Sequence, residues 1–400
     1  MGTPRIAIIG GGLGGLAAAL ALRQRGIEAQ VYERTAELSE IGAGINLSPN
    51  ALKAFRSLGI ERQAIDIGYE AEDQVIRSYR SGRVLARQKR SGDIVERFGA
   101  VFLCIHRADL LAILADALPS SSIHLGSACT GAETTATGAV ARFADGRTVE
   151  ADIVIGADGI HSAVRDSMFG PSQPRFTGCI CWRGLVPSEV VAGTPYGREM
   201  TAWWGPHGHI VHYPVRRGEL VNFVAHVNSD AWTDESWTYE CDGSEMMEVY
   251  KRWNPHLLRL IRSSERYYKW ALYDRDPLER WVIGRVALLG DSAHPMLPYL
   301  GQGACMAMED ACILAESVAR HSDDLDTALG DYERLRIGRA TKAQLGSRYR
   351  AQQNHLASPW ARFKRDLRMA YNNRFGRDRS PNQAEWLYDY DVAAETGYSA

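Results

Sequence analysis

The sequence predicts a mixed α/β fold in which a parallel sheet is assembled from segments that lie far apart in the chain. A strand–glycine–helix–strand pattern opens the sequence, and segments 151–165 and 284–311 each contain an apolar strand that runs into a glycine and aspartate pair. Residues 176–272 alternate short β-prone runs with Gly, Pro and charged turns, a pattern typical of antiparallel sheets. We therefore expect a βαβ-based core, a β-rich region and C-terminal helices.

Bulk composition narrows the class of protein. Of the 400 residues, 45% are hydrophobic, so the chain can bury a substantial core without disulfides or a structural metal. The formal net charge of −2 creates no overall field that would attract nucleic acid, and no long apolar run indicates a membrane span. The seven cysteines are scattered, and the pair Cys179 and Cys181 lacks partners at zinc-like spacing. Without a signal-peptide pattern, we expect a cytoplasmic protein with reduced thiols.

The N-terminal segment predicts a cradle for a dinucleotide. Residues 5–9 form an apolar strand, after which Gly10, Gly12 and Gly15 make a G-x-G-x-x-G motif before an alanine-rich helix. These glycines permit a tight turn, close approach of a pyrophosphate and close helix–strand packing, respectively. The pyrophosphate would lie on the helix N-terminus. Glu33, at the end of the second strand, would bind a ribose hydroxyl and disfavours a 2′-phosphate, but the pattern alone does not choose between NAD and FAD.

Two later motifs, taken with the first, carry a family resemblance. Asp158 and Gly159 follow one apolar strand, and Gly290 and Asp291 end another. In this order the three motifs resemble the single-component FAD-dependent aromatic hydroxylases (the group A flavoprotein monooxygenases). Within that group the chain is similar to salicylate hydroxylase, 3-hydroxybenzoate 6-hydroxylase and 6-hydroxynicotinate 3-monooxygenase. The segments INLSPNA, IHRADL and WLYDYD extend the resemblance over nearly the whole chain.

The resemblance implies a Rossmann-like domain that binds FAD. Asp291 would end a strand beside the cofactor and bond a ribityl hydroxyl. Gly303 and Ala304 open a helix whose free N–H groups would face the flavin N1–C2 oxygen, where negative charge develops on reduction. Arg107, in IHRADL, would face the FAD phosphates or the ribityl chain.

Three further residues are assigned to the cofactor site. The segment at Asp158 is associated in this family with both FAD and the nicotinamide donor, although an Asp-Gly pair is also a common simple turn. We also assign Arg34 and Cys129 to the FAD site. Because only one G-x-G-x-x-G cradle is visible, we expect NADH or NADPH to bind transiently at the surface.

The predicted domain organisation is discontinuous. We assign to the FAD-binding domain residues 1–75, 100–175 and 275–350. We assign to a β-rich substrate domain residues 76–99 and 176–274. Residues 351–400 are predicted to form a helical and aromatic C-terminal tail. The β-rich domain is expected to lie over the flavin as the roof of the substrate pocket.

The stretch GPHGHIVHYPV places three histidines, His207, His209 and His212, within six residues. If this stretch is a strand, side chains alternate between faces. His207, His209 and Tyr213 would then share one face, and His212 would lie on the other. The three imidazoles cannot converge on one ion, so we predict no metal site.

The resemblance assigns the chemistry to His209, Tyr213 and Gln302. Its hydroxylases of 3-hydroxybenzoate and 6-hydroxynicotinate carry H-x-x-x-Y here with the histidine as base, and a glutamine over the flavin that can touch the substrate. A phenol titrates near 10 and a histidine near 6.5, so the site must offset part of about 5 kcal/mol for proton transfer. The alternative for His209 is a buried strand histidine without a catalytic role.

Two other residues bear on the site. Arg183 could meet a substrate carboxylate but is as often structural, and we leave it out of the site. Asn46 stands where the nicotinate-type enzyme has a histidine.

These observations lead to one functional hypothesis and two rivals. We expect an FAD monooxygenase that hydroxylates a small aromatic acid of benzoate or pyridine-carboxylate type with NADH or NADPH and O2, through a flavin hydroperoxide, with or without decarboxylation. A homodimer is left open. One rival is a flavin hydroxylase or epoxidase of a larger substrate, such as a polyketide, urate or a polyene. The other is a flavin-binding redox sensor without turnover.

Overall fold

The computed structural model describes residues 3–38, 43–230, 240–374 and 385–397. Within these ranges the strands are β1 (Ile6–Ile9), β2 (Ala29–Tyr32), β3 (Gly44–Leu47), β4 (Tyr69–Glu70), β5 (Asp73–Ser78), β6 (Val84–Lys89), β7 (Leu103–His106), β8 (Ile123–His124), β9 (Cys129–Thr134), β10 (Ala139–Phe143), β11 (Thr148–Ala151), β12 (Ile153–Gly156), β13 (Arg175–Pro187), β14 (Met200–Gly205), β15 (Gly208–Val215), β16 (Leu220–Asn228), β17 (Glu240–Cys241), β18 (Tyr267–Asp274), β19 (Val282–Ile283) and β20 (Val286–Leu288). The α-helices are α1 (Leu13–Arg23), α2 (Pro49–Leu58), α3 (Glu61–Ile67), α4 (Asp93–Phe98), α5 (Arg107–Asp116), α6 (Ala163–Phe169), α7 (Ser244–Tyr250), α8 (Pro255–Arg262), α9 (Gly303–Arg320), α10 (Leu325–Asn354), α11 (Pro359–Arg374), α12 (Glu385–Tyr388) and α13 (Val392–Thr396).

A six-stranded sheet in the order β19-β20-β12-β1-β2-β8 carries the glycine motif. β1 pairs in parallel with β2 and β12, and β12 pairs in parallel with β20. Every residue of β1 and β12 is buried, and their sequences IAII and IVIG are the continuous apolar runs typical of strands covered on both faces. The predicted parallel sheet, assembled from distant segments, is therefore confirmed.

Helices α1 and α9 pack together beside this sheet through small residues. A Cβ atom added at Gly14 of α1 would lie 2.9 Å from the Leu289 side chain and 3.4 Å from Ala307 of α9. The α10 residue Tyr332 donates a hydrogen bond of 2.8 Å to the Leu288 carbonyl of β20. The small side chains let α1 and α9 pack closely, and the Tyr332 bond holds α10 against β20, the strand that leads into Gly290.

An eight-stranded sheet, ordered β17-β18-β13-β16-β15-β14-β5-β6, forms the second large unit. Its strand pairs are antiparallel except for β14 with β5, which is parallel. One face packs against α7 and α8 through a buried apolar cluster that includes Trp182, Trp203, Phe223, Leu257 and Ile261. The predicted antiparallel sheet is confirmed, and it recruits β5 and β6 from earlier in the chain. The boundaries of the domains stay predictions.

The C-terminal region is helical, as expected. Helix α10 spans 30 residues, and α11 begins at Pro359 after a short break. Helix α11 exposes a stripe of large apolar side chains: Trp360, Phe363, Leu367 and Tyr371. Tyr388 of α12 instead packs edge-on against Phe98 and Phe102. The parts of the predicted aromatic tail at 375–384 and 398–400 lie outside the described residues.

Hydropathy gives one further finding. Among the helices of the described residues, none combines the length and the apolar character needed to cross a lipid bilayer.

Candidate active site

A cavity of about 500 Å³ lies between the glycine loop, the start of α9 and the eight-stranded sheet. Eight of the predicted site residues line it: Gly12, Arg107, His209, Tyr213, Asp291, Gln302, Gly303 and Ala304. The others lie outside its wall: Gly10, Gly15, Glu33, Arg34, Cys129 and Asp158. The fold therefore brings the three predicted catalytic side chains to the same space as the start of both glycine-led helices.

Two steric requirements, at Gly10 and Gly15, shape the glycine loop, and Gly12 leaves it open. Gly10 has φ +110°, and a Cβ there would lie 2.3 Å from the Ala157 carbonyl oxygen. A Cβ at Gly15 would lie 1.9 Å from the Gly10 carbonyl oxygen, so only glycine lets α1 approach β1. A Cβ added at Gly12 would meet no atom within 4 Å, and the residue opens onto the cavity just before α1. The first N–H groups of α1 have no partner within the helix, and this open cradle fits a pyrophosphate.

Glu33 stabilises the loop from the end of β2. Its Oε2 accepts a hydrogen bond of 2.6 Å from the Gly11 N–H, and its Oε1 accepts bonds from the Thr35 N–H and hydroxyl. A carboxylate offers about four acceptor sites, which leaves Oε2 with capacity for one more donor. The carboxylate is therefore placed to receive a ribose hydroxyl, and that role stays a prediction. Arg34 is exposed beside it.

Asp158 and Ser292 connect the two glycine and aspartate motifs. The Asp158 carboxylate accepts bonds from Ser162 Oγ, the Val164 N–H at the start of α6, and Ser292 Oγ. Ser292 Oγ also accepts a bond of 3.0 Å from the Gly159 N–H. Gly159 reaches the cavity wall, whereas Asp158 holds the corner behind it. Direct contact between Asp158 and a cofactor stays a prediction.

Asp291 faces the cavity from the end of the Gly290 turn. The Asp291 side chain is accessible to solvent through the cavity, and the protein atoms packed around the carboxyl remove much of its hydration. Burial raises the pKa of the Asp291 carboxyl, while the nearby charges of His294 and Arg107 lower it. Arg107, the first residue of α5, lines the same wall. An acceptor and a cation are thus adjacent where the resemblance implies ribityl and phosphate groups.

A buried ionic cluster fixes this turn from below. The Gly290 N–H donates to Asp310 Oδ2 at 3.1 Å, and His294 Nε2 lies 2.5 Å from the same oxygen. Asp310 also pairs with Arg336, and Arg336 pairs with Glu309; all three side chains are fully buried. These charges lower the pKa of the Asp310 carboxyl against the opposing effect of burial. The Asp310 carboxylate is therefore fixed in place and holds the loop through the Gly290 N–H and His294.

The start of α9 presents free backbone donors to the cavity. Gly303 and Ala304 both line it, and a Cβ at Gly303 would approach Asp291 Oδ1 and Met296 only to 3.9 Å. The α9 helix has 18 residues, so its N-terminus carries the partial positive charge that favours anions. With the cradle at Gly12 and the carboxylate of Asp291, the residues present fit FAD.

Gln302 is held by hydrogen bonds to the start of α2. Its amide donates to Ser48 Oγ at 2.8 Å and accepts from Asn50 at 3.1 Å, and Asn50 donates in turn to Glu309 at 2.6 Å. Only 1% of Gln302 is exposed, although it lies in the cavity wall. The side chain therefore joins α2 to α9 in this structure, and its contact with a substrate stays a prediction. The partners lie in the segment INLSPN, where sequence reasoning assigned them no role.

The eight-stranded sheet closes the cavity with three cross-strand rows of side chains. By register these rows are His226, His209 and Trp204; then Arg183, Val224, Val211 and Ala202; then Asn222 and Tyr213. The middle row is apolar apart from Arg183 at its end. Because strand residues alternate faces, His209 and Tyr213 flank this apolar row on either side. A flat apolar strip with a polar group along each edge suits an aromatic ring.

His209 is surrounded by two other histidines. Its ring stacks on His226 with centroids 4.4 Å apart and planes 4° apart, and its Nδ1 lies 2.8 Å from His355 Nε2. Burial lowers the pKa of His209 well below its usual value, and His226 and His355 lower it further. The imidazole is therefore neutral at pH 7 and has a lone pair to offer.

Tyr213 packs closely against Gly44 and is 3% exposed. A Cβ at Gly44 would lie 2.6 Å from Tyr213 Cε2, and the Gly44 N–H donates to Asn222 Oδ1 at 2.8 Å. Burial raises the pKa of the Tyr213 phenol well above its usual value. Tyr213 is therefore a neutral hydroxyl at physiological pH.

The other two histidines of the stretch differ in their surroundings. His212 lies on the opposite face, where its Nε2 accepts a bond of 3.1 Å from Trp203 Nε1, so the predicted separation from His209 is confirmed. The expectation that His207 shares the His209 face of the strand is wrong. β15 begins only at Gly208, and His207 occupies the preceding tight turn with φ 60°.

Three residues that the sequence did not assign to the site, Arg183, His226 and Asn46, also line the cavity. Arg183, 5% exposed, lines the wall with its guanidinium 4.5 Å above the Trp270 ring. His226 lines it as well, with neither ring nitrogen hydrogen-bonded within the described residues. Asn46 lines it with a buried Oδ1 that lacks a hydrogen bond among those residues. The sequence suggests a carboxylate contact for Arg183, although its position after Trp182 is equally compatible with a structural role, and it shows Asn46 in place of a histidine; His226 carries no signal.

Cys129 lies away from this wall in the three-stranded sheet β11-β10-β9. Its thiol donates to the Gly131 carbonyl at 3.4 Å, and burial raises the pKa of the thiol to about 11. Cys129 does not line the cavity, so its predicted contact with the cofactor stays a prediction.

The fold and this site have counterparts among known proteins. A family model described as FAD binding domain matches residues 3–344. The chain is 38% identical to a 3-amino-4-hydroxybenzoate 2-monooxygenase of Streptomyces platensis, over 98% of this chain and 97% of that protein. It is 39% identical to the 6-hydroxynicotinate 3-monooxygenase of Pseudomonas fluorescens, over 86% of this chain and 90% of that protein.

A solved structure adds a three-dimensional match. Klebsiella pneumoniae HpxO complexed with FAD and uric acid superposes with a TM-score of 0.85 at 29% identity, covering 99% of this chain and 96% of that one. The resemblance that the three glycine motifs indicated is thereby confirmed, and so is FAD as the cofactor. The chain belongs to the family of flavoprotein monooxygenases that carry this FAD binding domain.

Proposed function

We propose that this protein is a monooxygenase that hydroxylates a small, already hydroxylated aromatic acid with NADH or NADPH and O2. FAD, when bound, accepts reducing equivalents from the nicotinamide and supplies the activated oxygen. The observation that carries the proposal is the apolar cross-strand row of the eight-stranded sheet, with His209 along one edge and Tyr213 along the other. The Cα atoms of this pair are about 13 Å apart along an ideal strand, which leaves room for one substituted ring between the two side chains.

The ring would pack against Val211, Val224 and Ala202, which line the cavity on adjacent strands. Such contacts hold a planar ring by dispersion and by removal of apolar surface from water. Trp204 bounds the same space beside His209 and limits water access. The walls thus orient the ring and exclude solvent, and the edges supply the polar contacts.

His209 would take the proton of the ring hydroxyl. The O–H bond breaks, the proton goes to Nε2, and the electron pair stays on the ring oxygen, which enriches the ortho and para carbons in electron density. Burial keeps His209 neutral but also makes it a weaker base. The negative charge that develops on the adjacent oxygen opposes this, because a nearby anion favours the imidazolium. Tyr213 can donate a hydrogen bond to the substrate from the other edge.

Arg183 would anchor the acid group. It stands at the end of the apolar row, beyond Val224, and faces the cavity. A planar guanidinium binds a carboxylate through two parallel hydrogen bonds, which fixes the direction of the ring as well as its position. The distance between this anchor and His209 would then decide which ring carbon faces the flavin.

We further propose that the enzyme works in the cytoplasm and forms a homodimer. The seven cysteines are unpaired, which fits a reducing compartment. The exposed apolar stripe of α11 (Trp360, Phe363, Leu367 and Tyr371) is the surface that best fits contact with a second copy. Sedimentation of the wild-type protein, compared with a variant carrying Trp360→Ser and Leu367→Ser, tests the dimer.

The function is tested with a panel of monohydroxybenzoates and hydroxypyridine carboxylates on the purified flavoprotein. Coupled NADH consumption, oxygen uptake and a hydroxylated product with at least one member support the proposal. Flavin reduction that no aromatic compound stimulates would instead indicate a redox sensor.

The similarity to HpxO complexed with uric acid favours one alternative, a heterocycle that carries no carboxylate. Urate belongs in the same panel. Turnover of urate with indifference to Arg183→Met would select that alternative over the aromatic acid.

A further inference from the structure

The base position belongs to a hydrogen-bonded chain that crosses from the cavity to the surface. His209 on β15 meets His355, the residue that caps the C-terminus of α10, with Nδ1 and Nε2 2.8 Å apart. His355 Nδ1 in turn lies 2.6 Å from Asn228 Oδ1 at the end of β16. Asn228 is exposed, His355 is 9% exposed and His209 is 5% exposed. The three residues come from three separate elements.

The direction of this chain follows from the chemistry of its exposed end. An amide oxygen only accepts hydrogen bonds, so His355 Nδ1 must carry a proton toward Asn228. A neutral imidazole has a single N–H, which leaves His355 Nε2 as a lone pair. His209 Nδ1 must therefore carry its own proton and donate it to His355. The remaining nitrogen of His209, Nε2, is then an unprotonated acceptor on a residue that lines the cavity.

We propose that His355 and Asn228 are positioning residues that hold His209 in the Nδ1–H tautomer and receive the proton displaced when substrate is deprotonated. The inference rests on the proposed function of His209. When Nε2 takes the substrate proton, the Nδ1 proton passes to His355 Nε2, and the Nδ1–H of His355 stays bonded to Asn228. The positive charge then resides on His355, away from the ring being hydroxylated.

The end of α10 offsets part of the cost of placing a cation on His355. His355 follows a helix of 30 residues, and the C-terminal end of a helix dipole stabilises positive charge. Burial lowers the pKa of His355 to about 4, whereas the pKa of its neighbour His226 is lowered to about 3. The titratable groups that face the pair are His226 from β16, His207 from the hairpin turn and Tyr299 from the loop before α9.

Two substitutions at His355 separate tautomer control from proton uptake. His355→Phe keeps ring volume and removes both functions, so we expect kcat to fall about 100-fold with KM nearly unchanged. His355→Gln offers an amide oxygen that can accept the Nδ1–H bond but cannot take the proton, so about tenfold of that loss should return. His321→Gln, remote from the cavity and paired with Asp331, is the matched control and should behave as wild type. Retained FAD and an unchanged melting temperature confirm that each variant is folded.

Asn228→Asp reports on the same chain through pH. A carboxylate fixes the His355 Nδ1–H and favours its cationic form, so the acidic limb of the kcat/KM profile should move up by about 1 pH unit. Histidine-selective ¹⁵N NMR of the flavoprotein, with the resonance assigned by its loss in His209→Ala, should show the His209 proton on Nδ1. A proton on Nε2, or His355→Phe turnover within twofold of wild type, would overturn the inference. Absence of turnover with every aromatic compound would refute the proposed function instead, and the NMR result would still judge the tautomer.

Discussion

Each face of the eight-stranded sheet buries a histidine of β15, but the two histidines have different surroundings. His212 and His209 are three residues apart on β15, and burial lowers the pKa of both. On one face, His212 accepts a bond from Trp203 and lies in an apolar layer covered by α8. On the other, His209 lines a cavity and touches two further imidazoles.

This difference shows that burial of a histidine is a poor guide to its role. What distinguishes the faces is where the second ring nitrogen leads. The bond of His212 ends at Trp203, inside the packed layer. The chain of His209 continues through His355 to the exposed Asn228 while its other nitrogen is left to the cavity. Substitutions on the two faces should therefore affect different observables.

The largest effect is expected from His209→Ala. Loss of the base should lower kcat for ring hydroxylation about 10²- to 10⁴-fold, because general base catalysis contributes on this scale. Product formation is measured by chromatography, and bound FAD by its absorbance, which should stay as in wild type. Normal turnover in this variant would show that the assigned base is wrong.

Arg183→Met should act on binding more than on chemistry. A charge-assisted hydrogen bond contributes about 1.5–3 kcal/mol, so we expect KM for an aromatic acid to rise about 10- to 100-fold. Arg183→Lys keeps the charge but loses the planar pair of donors, and should fall between the two. Steady-state kinetics with the acid and with its uncharged amide make the comparison, and equal losses on both compounds would contradict a carboxylate contact.

On the packed face, His212→Leu should change stability and leave turnover within twofold of wild type. The substitution removes the acceptor of the buried Trp203 N–H, which we expect to destabilise the fold by about 1–3 kcal/mol. Urea unfolding followed by tryptophan fluorescence measures this loss. A drop in kcat larger than the drop in folded fraction would mean that the two faces are coupled.

The smallest effect concerns acid stability. In the folded protein burial lowers the pKa of His212 to about 3, below the usual value of 6.5. Between these values the unfolded chain binds one more proton, so stability is complete above pH 6.5 and declines on acidification, by up to about 1.4 kcal/mol per pH unit. The His212→Leu variant should lose the part of the pH dependence that His212 contributes and keep the part that comes from the other buried histidines. Unfolding curves at pH 7, 6 and 5 test it, and parallel pH dependences would argue against a neutral buried imidazole.

The sequence was sufficient to predict the shape of the glycine loop, whereas the contacts of the other assigned cofactor residues stay predictions. The steric needs of Gly10 and Gly15 are set by neighbours in the same βαβ unit and in β12, so the motif carries its own context. The opposite orientations of His209 and His212 also followed from strand alternation alone. His207 was misplaced because the hairpin turn displaces it before the strand begins.

The substrate half depends on distant pairings that one sequence does not display. His226 reaches His209 only through the register of β15 with β16, and His355 only because α10 ends beside that strand pair. Gln302 likewise finds Ser48 and Asn50 across more than 250 residues. The roles of Arg183 and His226 could therefore not be assigned before the fold was known.

The dispersed origin of the cofactor sheet also bears on how the enzyme is made. β1 carries the glycine loop, but its neighbour β12 and the turn at Gly290 emerge from the ribosome much later, and α9 later still. A nascent chain thus holds an incomplete cradle through most of its synthesis. Because Gly12, Asp291, Gly303 and Ala304 line one cavity, we expect FAD to bind only after synthesis of this part of the chain, and a fragment cut before Gly303 to lose it.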